Sequence, residues 1–475
     1  MISHCDVTQK NFASLLEANV QRYGDRIALV WEKGCLTWTE LEGRASAFAR
    51  LLSEEGVKGG DRVAMLLPNQ WTFPVALMGV LKLGASAAPF TPGLKKEEIE
   101  LILDDLEPKR TVEEVTLNEG GRVPARPTNS PALIVYTSGS TGRPKGAVFT
   151  HRALTSGVLM WANPVLGLTP DDVVLGVLPF GHNYGMYSGL LAPLLSGATV
   201  VLVEHFTPEG VLEAIKRHRV TVFPAVSTMF HRLLSSAAFP ESDLSSLRLS
   251  VSGAAPCPPE LCRDWQEKTG IRILRGYGST EVPRPISYLA EDSTDCSDAV
   301  GRAVPGVEVR VADETGKALS CGEVGELWIQ SPTAMEGYLD SPAPTMAVLA
   351  GGWFKTGDLA SVSGDGLIRI VGRKRDRILR GGFSVFPQEV EVILNSHPAV
   401  TEAAVVGIPS LDLGEEVTAF VTLKPKIEIA AEDLIDYCKD RLAHFKYPRR
   451  ISILDELPKG ATGKVLKAEL VKRHL

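Results

Sequence analysis

The chain has 475 residues, 44% of them hydrophobic, and this length exceeds what one hydrophobic core normally spans. A globular protein of at least two folding units is therefore expected. Its 50 Lys and Arg against 57 Asp and Glu give a net charge of -7, which disfavours a nucleic-acid binder that works by neutralising phosphates. A small-molecule substrate fits this charge better.

The N-terminal half alternates predicted strands with predicted helices. A helix is expected to begin at Thr37, because Glu40 follows three residues later and the pair can satisfy the free N–H groups of a first turn. Strands are predicted at residues 27–31, 35–38, 62–67, 86–89, 200–203, 221–224 and 247–251, and helices at 73–83 and 208–217. This order predicts an α/β fold in which helices cover parallel sheets.

One apolar segment, residues 173–203, contains no Asp, Glu, Lys or Arg and exceeds the roughly 20 residues that a membrane helix needs. Pro179, Gly181, Gly189, Pro193 and Gly197 interrupt it. These breakers favour a strand, a loop, a buried helix and a second strand over a membrane span.

The pattern changes after about residue 300. Short strands with Gly-rich turns, at 307–311, 325–329 and 366–371, predict a small β-rich subdomain that ends at the charged stretch 373–377. Beyond it, helices at 387–395 and 431–442 and strands at 400–408 and 416–423 predict a compact α+β unit. We therefore divide the chain into a large N-terminal domain, 1–373, and a small C-terminal domain, 374–475.

The most informative stretch follows a predicted strand at 133–136. It combines hydroxyls, glycines and a lysine: Thr137, Ser138, Gly139, Ser140, Thr141, Gly142 and Lys145. Glycines let backbone N–H groups approach phosphate oxygens, hydroxyls donate further hydrogen bonds, and the lysine adds a positive charge. Pro144 before the lysine and Gly146 after it disfavour an ordinary P-loop, which needs Gly before the lysine and Ser or Thr after it. A functionless Ser/Gly-rich surface turn is the alternative.

The string YTSGSTGRPKGAV resembles the signature of the adenylate-forming enzymes, a family that includes acyl-CoA synthetases, firefly luciferase and peptide-synthetase adenylation domains. GYGSTE resembles the second motif of that family. The resemblance implies that Tyr277 stacks on adenine, Thr280 contacts the α-phosphate and Glu281 helps to hold Mg²⁺. Asp358 is implied to bind the ribose hydroxyls with help from Arg373.

The C-terminal stretch continues the resemblance. Asp376 matches the hinge position of the family, and Gly381, Gly382 and Phe383 match the loop that lines the thiol tunnel. Lys464 matches the lysine that contacts the carboxylate and the α-phosphate during adenylation, so Lys464, Glu281, Thr280 and Lys145 are the predicted catalytic residues. The segment between Leu103 and Ser130 is short for the family, which leaves substrate entry and oligomer contacts open.

The predicted acyl pocket follows from the same resemblance. It comprises His182, Tyr184, Val226, Gly253, Gly278 and Val282, which are mostly apolar or aromatic. The stretch PFGHNYG lacks the Phe-Asp pair by which amino-acid-activating relatives hold the α-amino group, so a fatty or aromatic acid is favoured. A histidine packed in the core is the alternative for His182.

The resemblance implies an acid–thiol ligase that uses ATP and Mg²⁺ to form an acyl-adenylate and transfers the acyl group to coenzyme A. Transfer to the pantetheine of a carrier protein, a luciferase-like oxygenase, a non-catalytic nucleotide-binding relative and an interaction protein are the alternatives, and a homodimer is left open. The seven scattered cysteines match no usual metal or redox spacing, and the first residues resemble no signal peptide. A cytoplasmic enzyme is therefore expected.

Overall fold

The computed structural model describes residues 11–90, 93–117, 121–137, 144–292, 298–381, 383–410, 412–425, 427–459 and 465–472. The chain divides into two compact units. The first comprises residues 1–309 and 329–354, and the second comprises residues 310–328 and 355–475. The division after residue 373 that the sequence suggests stays a prediction.

The strands are short in the first half of the chain and longer near its end. They are β1 (Ile27–Trp31), β2 (Gly34–Thr37), β3 (Arg62–Met65), β4 (Ser86–Pro89), β5 (Arg110–Val112), β6 (Pro131–Thr137), β7 (Lys145–Thr150), β8 (Val173–Gly176), β9 (Thr199–Leu202), β10 (Val222–Ala225), β11 (Leu249–Ser252), β12 (Ile273–Leu274), β13 (Gly276–Tyr277), β14 (Ile286–Ser287), β15 (Arg302–Ala303), β16 (Glu308–Ala312), β17 (Gly325–Gln330), β18 (Gly337–Tyr338), β19 (Leu349–Ala350), β20 (Trp353–Val362), β21 (Ile368–Arg373), β22 (Ile378–Arg380), β23 (Phe383–Val385), β24 (Val400–Ser410), β25 (Gly414–Leu423) and β26 (Arg450–Ile453).

The α-helices are α1 (Phe12–Tyr23), α2 (Trp38–Glu54), α3 (Thr72–Lys82), α4 (Lys96–Leu106), α5 (His151–Met160), α6 (Asn183–Met186), α7 (Ala192–Ser196), α8 (Pro208–His218), α9 (Ser227–Leu234), α10 (Pro259–Thr269), α11 (Pro342–Val348), α12 (Pro387–Asn395), α13 (Ala431–Lys439) and α14 (Lys467–Lys472). Two π-helical turns, Trp161–Val165 and Tyr187–Leu191, continue α5 and α6. The predicted capping box is present at the start of α2: Thr37 accepts a hydrogen bond from the backbone N–H of Glu40, whose side chain accepts one from that of Thr37.

Two large sheets organise the first unit. One has the strand order β12-β11-β10-β8-β9-β1-β2 and the other has the order β18-β7-β6-β4-β3-β5. Neighbours such as β10 and β11 or β3 and β4 run parallel, while β6 and β7 form an antiparallel hairpin. The α/β class predicted from the alternation of strands and helices is confirmed.

Aromatic residues fill the core beside the first sheet. Phe223 of β10, Phe230 of α9 and Trp265 of α10 are fully buried. Their ring centroids lie 5.3 Å (Phe223 to Phe230) and 5.0 Å (Phe230 to Trp265) apart with steep interplanar angles, a favourable edge-to-face arrangement. This packing holds β10, whose C-terminal end leads into Val226, and β11 pairs with β10 and leads into Gly253. Both are predicted pocket positions.

The stretch that precedes β6, residues 121–130, contains no helix or strand. Its backbone is nevertheless anchored to a buried lysine. Lys82 donates to the Val123 carbonyl (2.8 Å) and pairs with Glu17 and Glu42. The Val123 carbonyl therefore helps to compensate for the buried positive charge of Lys82, which lies at the end of the apolar helix α3.

The second unit contains two smaller sheets. β16, β17, β20 and β21 follow one another in one sheet, and β23-β22-β25-β24 form the other, with β26 parallel to β25. Val405, Ala419 and Leu434 belong to the core that this second sheet forms with α12 and α13. The prediction of a compact α+β arrangement after residue 374 agrees with these elements.

The charge-free segment 173–203 folds as β8, α6, a π-helical turn, α7 and β9. Over the described residues, no helix is both long enough and apolar enough to cross a membrane. The Gly and Pro residues thus divide the segment as their positions predict.

Candidate active site

The predicted phosphate loop is closed at its base by the β6–β7 hairpin. Thr137, the last residue of β6, lies opposite Lys145, the first residue of β7, in the antiparallel register. Ser138, Gly139, Ser140, Thr141 and Gly142 lie outside the described residues. The hairpin therefore brings the two ends of the loop, a hydroxyl and an ammonium group, side by side.

Tyr338 links this loop to the GYGSTE turn. It pairs with Ala147 of β7, and the Nζ of Lys145 lies 5.3 Å from the centroid of its ring. Its hydroxyl donates a hydrogen bond to Oε1 of Glu281 (2.8 Å). Burial, and then the charge of Glu281, raises the pKa of Tyr338 well above its usual range, so the hydroxyl stays protonated as a donor.

Sequence reasoning missed Tyr338. The residue belongs to none of the recognised motifs, and it is 57 positions away from Glu281. Only the pairing of the two-residue strand β18 with β7 places it there. The sequence carries no local signal that predicts this pairing.

The GYGSTE turn is held from two sides. The buried Asn183 of α6 donates to the carbonyl of Thr280 (2.7 Å), and the N–H of Met335 donates to the carbonyl of Glu281 (2.8 Å). Tyr277 is half-buried in β13, where it lies opposite Ile286 of β14. The backbone that carries Thr280 and Glu281 is thus fixed independently of their side chains.

The predicted pocket residue Tyr184 has its hydroxyl committed to the protein. It lies 2.9 Å from each of the carbonyl oxygens of Ala225 and Val251. The ring stacks on Trp161, with centroids 5.6 Å apart. Burial raises the pKa of Tyr184 above its usual range. The ring can therefore serve as a wall of the pocket, while its hydroxyl ties β10 to β11.

Two of the other predicted pocket positions, Gly253 and Gly278, lie against Arg284. A Cβ on Gly253 would lie 3.0 Å from Nη1 of Arg284 and 3.1 Å from Cζ of Tyr184, and a Cβ on Gly278 would lie 2.5 Å from the backbone N of Arg284. Val282 is buried and Val226 is half-buried. His182 is also half-buried, and burial lowers the pKa of its imidazole, so it is neutral at neutral pH.

Arg284 is the second residue that sequence reasoning missed. It is only 6% exposed and adopts a positive φ of 41°. Its guanidinium donates to the Ser287 hydroxyl (3.0 Å) and to the carbonyl of Ser252 (3.0 Å), and its Cζ lies 4.6 Å from the centroid of the Trp161 ring. A buried cation therefore lies against Gly253 and Gly278, two positions of the pocket that the resemblance predicts to be mostly apolar.

In the second unit, Asp358 of β20 and Arg373 of β21 are paired. They lie opposite each other in the antiparallel register, and Nε of Arg373 is 3.0 Å from Oδ1 of Asp358. The structure thus brings together the two residues that the resemblance assigns to the ribose. Asp376 lies in a 3₁₀ turn, Lys374–Asp376, where its carboxylate is 3.5 Å from Nε of Arg375.

The predicted thiol-tunnel loop joins β22 to β23. Gly381 has a positive φ of 55°, which glycine adopts without strain, and its N–H donates to the carbonyl of Leu413 (2.8 Å). Phe383 is 54% exposed and stacks on Phe445, with centroids 4.5 Å apart. Gly382 and Lys464 lie outside the described residues; Lys459 and Val465 pair on either side of the segment that contains Lys464.

Comparisons with known proteins agree with these motifs. The profile described as AMP-binding enzyme matches residues 16–128 and 111–339, and that described as AMP-binding enzyme C-terminal domain matches residues 389–464. A long-chain-fatty-acid–CoA ligase of Yersinia pestis is 31% identical, with 98% of this chain and 95% of the relative covered. A feruloyl-CoA synthase of Amycolatopsis sp is 35% identical, with 92% and 94% covered. The structure of ATP-bound MatB from Rhodopseudomonas palustris superimposes with a TM-score of 0.92 at 30% identity, covering 98% of this chain and 99% of MatB.

Proposed function

This chain belongs to the AMP-binding enzyme family and is an AMP-forming acid–CoA ligase that uses ATP and coenzyme A, and from this premise we propose which residues carry the reaction. The substrate is a fatty or an aromatic acid. Relatives that are named for both classes and the apolar or aromatic side chains of Tyr184, Val226 and Val282 support this choice. A non-catalytic role is thereby set aside.

The arrangement of Lys145, Tyr338 and Glu281 is the observation that carries the proposal. A cation lies over the ring of one tyrosine and a carboxylate accepts from its hydroxyl, beside the hairpin that carries the phosphate loop. Lys145 supplies positive charge to the phosphates of ATP, and Thr137 to Gly142 supply hydroxyl and N–H donors. Tyr338 orients the Glu281 carboxylate by a hydrogen bond to one of its oxygens, which leaves the other oxygen for a ligand.

The residues present fit a magnesium ion that arrives with ATP. Among the described residues, no group of three or more His, Cys, Asp or Glu side chains is placed to hold a metal by itself. Mg²⁺ is commonly bound by one or two carboxylates together with substrate phosphates and water, and Glu281 supplies one carboxylate oxygen. When bound, the ion would neutralise charge on the phosphates that leave as pyrophosphate.

In the first half-reaction, an oxygen of the substrate carboxylate attacks the α-phosphorus of ATP and the bond to pyrophosphate breaks. Positioning and charge stabilisation account for most of the catalysis in such a transfer. Thr280 contacts the α-phosphate, Tyr277 stacks on the adenine and Lys464 carries charge to the transition state. The paired Asp358 and Arg373 bind the ribose.

In the second half-reaction, the thiol sulfur attacks the acyl carbonyl and AMP leaves. We assign Asp376 as the hinge about which the C-terminal domain, residues 374–475, turns between the two half-reactions. Gly381, Gly382 and Phe383 then line the path of the pantetheine arm. The exposure of Phe383 and the absence of a Cβ at Gly381 are compatible with a narrow thiol passing between them.

Three further points belong to the same proposal. A carrier protein is the alternative acceptor, because its pantetheine arm ends in the same thiol as coenzyme A. A homodimer is the alternative to a monomer. The enzyme acts in the cytoplasm, which the scattered cysteines support.

A substitution that removes one oxygen tests the proposal. Tyr338→Phe removes the hydrogen bond to Glu281, and we expect adenylation to slow about tenfold or more, since hydrogen bonds to charged groups contribute about 1.5–3 kcal/mol. Tyr437→Phe is the matched control, because the Tyr437 hydroxyl lies 3.2 Å from the Ser396 hydroxyl and Tyr437 belongs to none of the recognised motifs. Both variants are measured by acyl-AMP and acyl-CoA formation from a panel of fatty and aromatic acids.

The wild-type panel has its own informative outcomes. Acyl-CoA formation that depends on ATP and Mg²⁺ supports the proposal and ranks the acids. Accumulation of acyl-AMP without any effect of coenzyme A favours a carrier protein as the acceptor. Equal activity of Tyr338→Phe and wild type would contradict the proposal that Tyr338 orients Glu281 for adenylation.

A further inference from the structure

Arg284 is a buried cation whose acceptors are all neutral within the described part of the chain. They are the Ser287 hydroxyl, the Ser252 carbonyl and, at 3.5 Å, the Leu274 carbonyl. Burial lowers the pKa of the guanidinium to about 10, so it is still protonated at neutral pH. A buried positive charge is costly unless an anion or several good acceptors compensate for the water that it has lost.

The guanidinium also retains donors that these acceptors do not use. Nε, Nη1 and Nη2 each have one acceptor, whereas Nη1 and Nη2 each carry a second N–H. The Trp161 ring covers the group at 4.6 Å and stabilises the charge without accepting these N–H bonds in the plane of the guanidinium. The guanidinium therefore keeps hydrogen-bonding capacity for an acceptor that the described part of the chain does not supply.

The surroundings place this capacity beside the predicted acyl pocket. A Cβ on Gly276 would lie 2.4 Å from Cζ of Arg284, and one on Gly253 would lie 3.0 Å from Nη1. Tyr184 and Trp161 form a stacked pair next to the same group. Because glycine stands at both positions, the guanidinium packs directly against the backbone, and the aromatic pair beside it offers a flat apolar wall for the rest of an acyl chain or ring.

We propose that Arg284 binds an oxygen acceptor on the acyl part of the substrate, remote from the carboxyl group that reacts. This inference rests on the proposed ligase activity and sharpens its substrate class: oxo acids and dicarboxylic acids are preferred to unsubstituted fatty acids of the same length. A carbonyl or a second carboxylate takes the in-plane N–H donors, and an alkyl terminus leaves them buried and unsatisfied.

A structural role is the competing explanation, since Arg284 also ties the carbonyl ends of β11 and β12 together through Ser252 and Leu274. The two explanations differ in what they predict for matched acids. A structural residue affects all acids alike, and so would an arginine that binds the reacting carboxylate. A specificity residue affects only the acids that carry the second oxygen group.

The experiment uses three matched sets of acids. The first is hexanoate, 5-oxohexanoate and adipate, the second is the corresponding ten-carbon set, and the third is 3-phenylpropanoate and 3-(4-carboxyphenyl)propanoate. Adenylation is followed as pyrophosphate release with wild type, Arg284→Lys and Arg284→Met. We expect wild type to favour the oxygen-bearing member of at least one matched set by about tenfold or more in kcat/KM. With that acid, kcat/KM of Arg284→Met should be about 10- to 100-fold below that of wild type, whereas kcat/KM with the plain acid of the same set should change little. The kcat/KM of Arg284→Lys with the oxygen-bearing acid should lie between those of wild type and Arg284→Met.

The oxo acid and the diacid distinguish a neutral from an anionic acceptor. Equal loss for all acids in Arg284→Met, or a wild type that prefers the plain acid in every set, would overturn the inference. If Arg284→Met does not fold, as judged by its thermal transition, the wild-type ratios and Arg284→Lys decide. Failure to form acyl-AMP from any acid contradicts the ligase assignment itself, whereas acyl-AMP formed equally well from plain acids overturns only the role of Arg284.

Discussion

The turn after β13 and the loop after β22 carry residues predicted for the two half-reactions, and the protein holds them very differently. The first turn contains Val282 at 1% exposure and is fixed by hydrogen bonds from Asn183 and Met335. In the second loop, the N–H of Gly381 donates to the carbonyl of Leu413, and Phe383 is 54% exposed. We therefore expect adenylation to depend on a preorganised, buried frame, and thiol transfer to use the solvent-exposed side chain of Phe383.

The largest expected effect separates the two half-reactions. Lys464→Ala should lower the rate of acyl-adenylate formation by about 100- to 1000-fold, as does the loss of other groups that stabilise a transition-state charge. Thioester formation from preformed acyl-adenylate should be retained. Lys467→Ala, which removes a nearby lysine that pairs with Glu391 (2.6 Å), is the control. Equal loss of both half-reactions in Lys464→Ala would refute the domain-alternation hypothesis.

Acid should destabilise the first unit through His151. Burial lowers the pKa of this histidine to about 4, whereas in the unfolded chain it is near 6.5. Because the unfolded state takes up the proton first, the contribution is fully present above pH 6.5 and is lost as the pH falls towards 4, up to about 3 kcal/mol.

Thermal unfolding between pH 7 and pH 4 measures this contribution. His151→Gln should show a shallower fall in Tm with decreasing pH than wild type. His205→Gln, at a side chain that is 86% exposed, should leave the wild-type slope unchanged. Identical slopes for all three proteins would show that His151 does not titrate as its burial predicts.

The tight packing of β13, which leads into the first turn, can be broken by one methyl group. In Gly276→Ala the new Cβ would lie 2.4 Å from Cζ of the buried Arg284, so we expect the free energy of unfolding to fall by about 1–3 kcal/mol. Gly43→Ala is the matched control: nothing lies within 4 Å of its Cβ position, and alanine in the helix α2 should stabilise by about 0.5–1 kcal/mol. Denaturant unfolding compares the two, and a neutral Gly276→Ala would show that Arg284 can shift.

The smallest expected effect concerns the exposed loop. Phe383→Ala removes the stack on Phe445 and should raise the KM for coenzyme A about two- to tenfold, in line with the strength of aromatic pairs, without changing pyrophosphate release. Val392→Ala, which is equally exposed, is the control. A slower adenylation step in Phe383→Ala would show that the loop also acts in the first half-reaction.

Much of this protein followed from its sequence alone. The α/β class, the capping box at Thr37 and the broken apolar segment 173–203 all depend on local patterns of polarity, glycine and proline, which act over a few residues. The phosphate loop and the GYGSTE turn were recognised because their chemistry is carried by contiguous residues. The paired positions of Asp358 and Arg373 were likewise anticipated as a common site.

Only the tertiary structure could place Tyr338 and Arg284. Tyr338 reaches Glu281 because the short strand β18 adds to the edge of β7, and strand pairing between distant segments leaves no local pattern. Arg284 looks like a surface charge in the sequence, since arginine is seldom buried. Its burial arises from the glycines and aromatic rings that four separate segments bring around it, a property of the packed fold rather than of its neighbours in the chain.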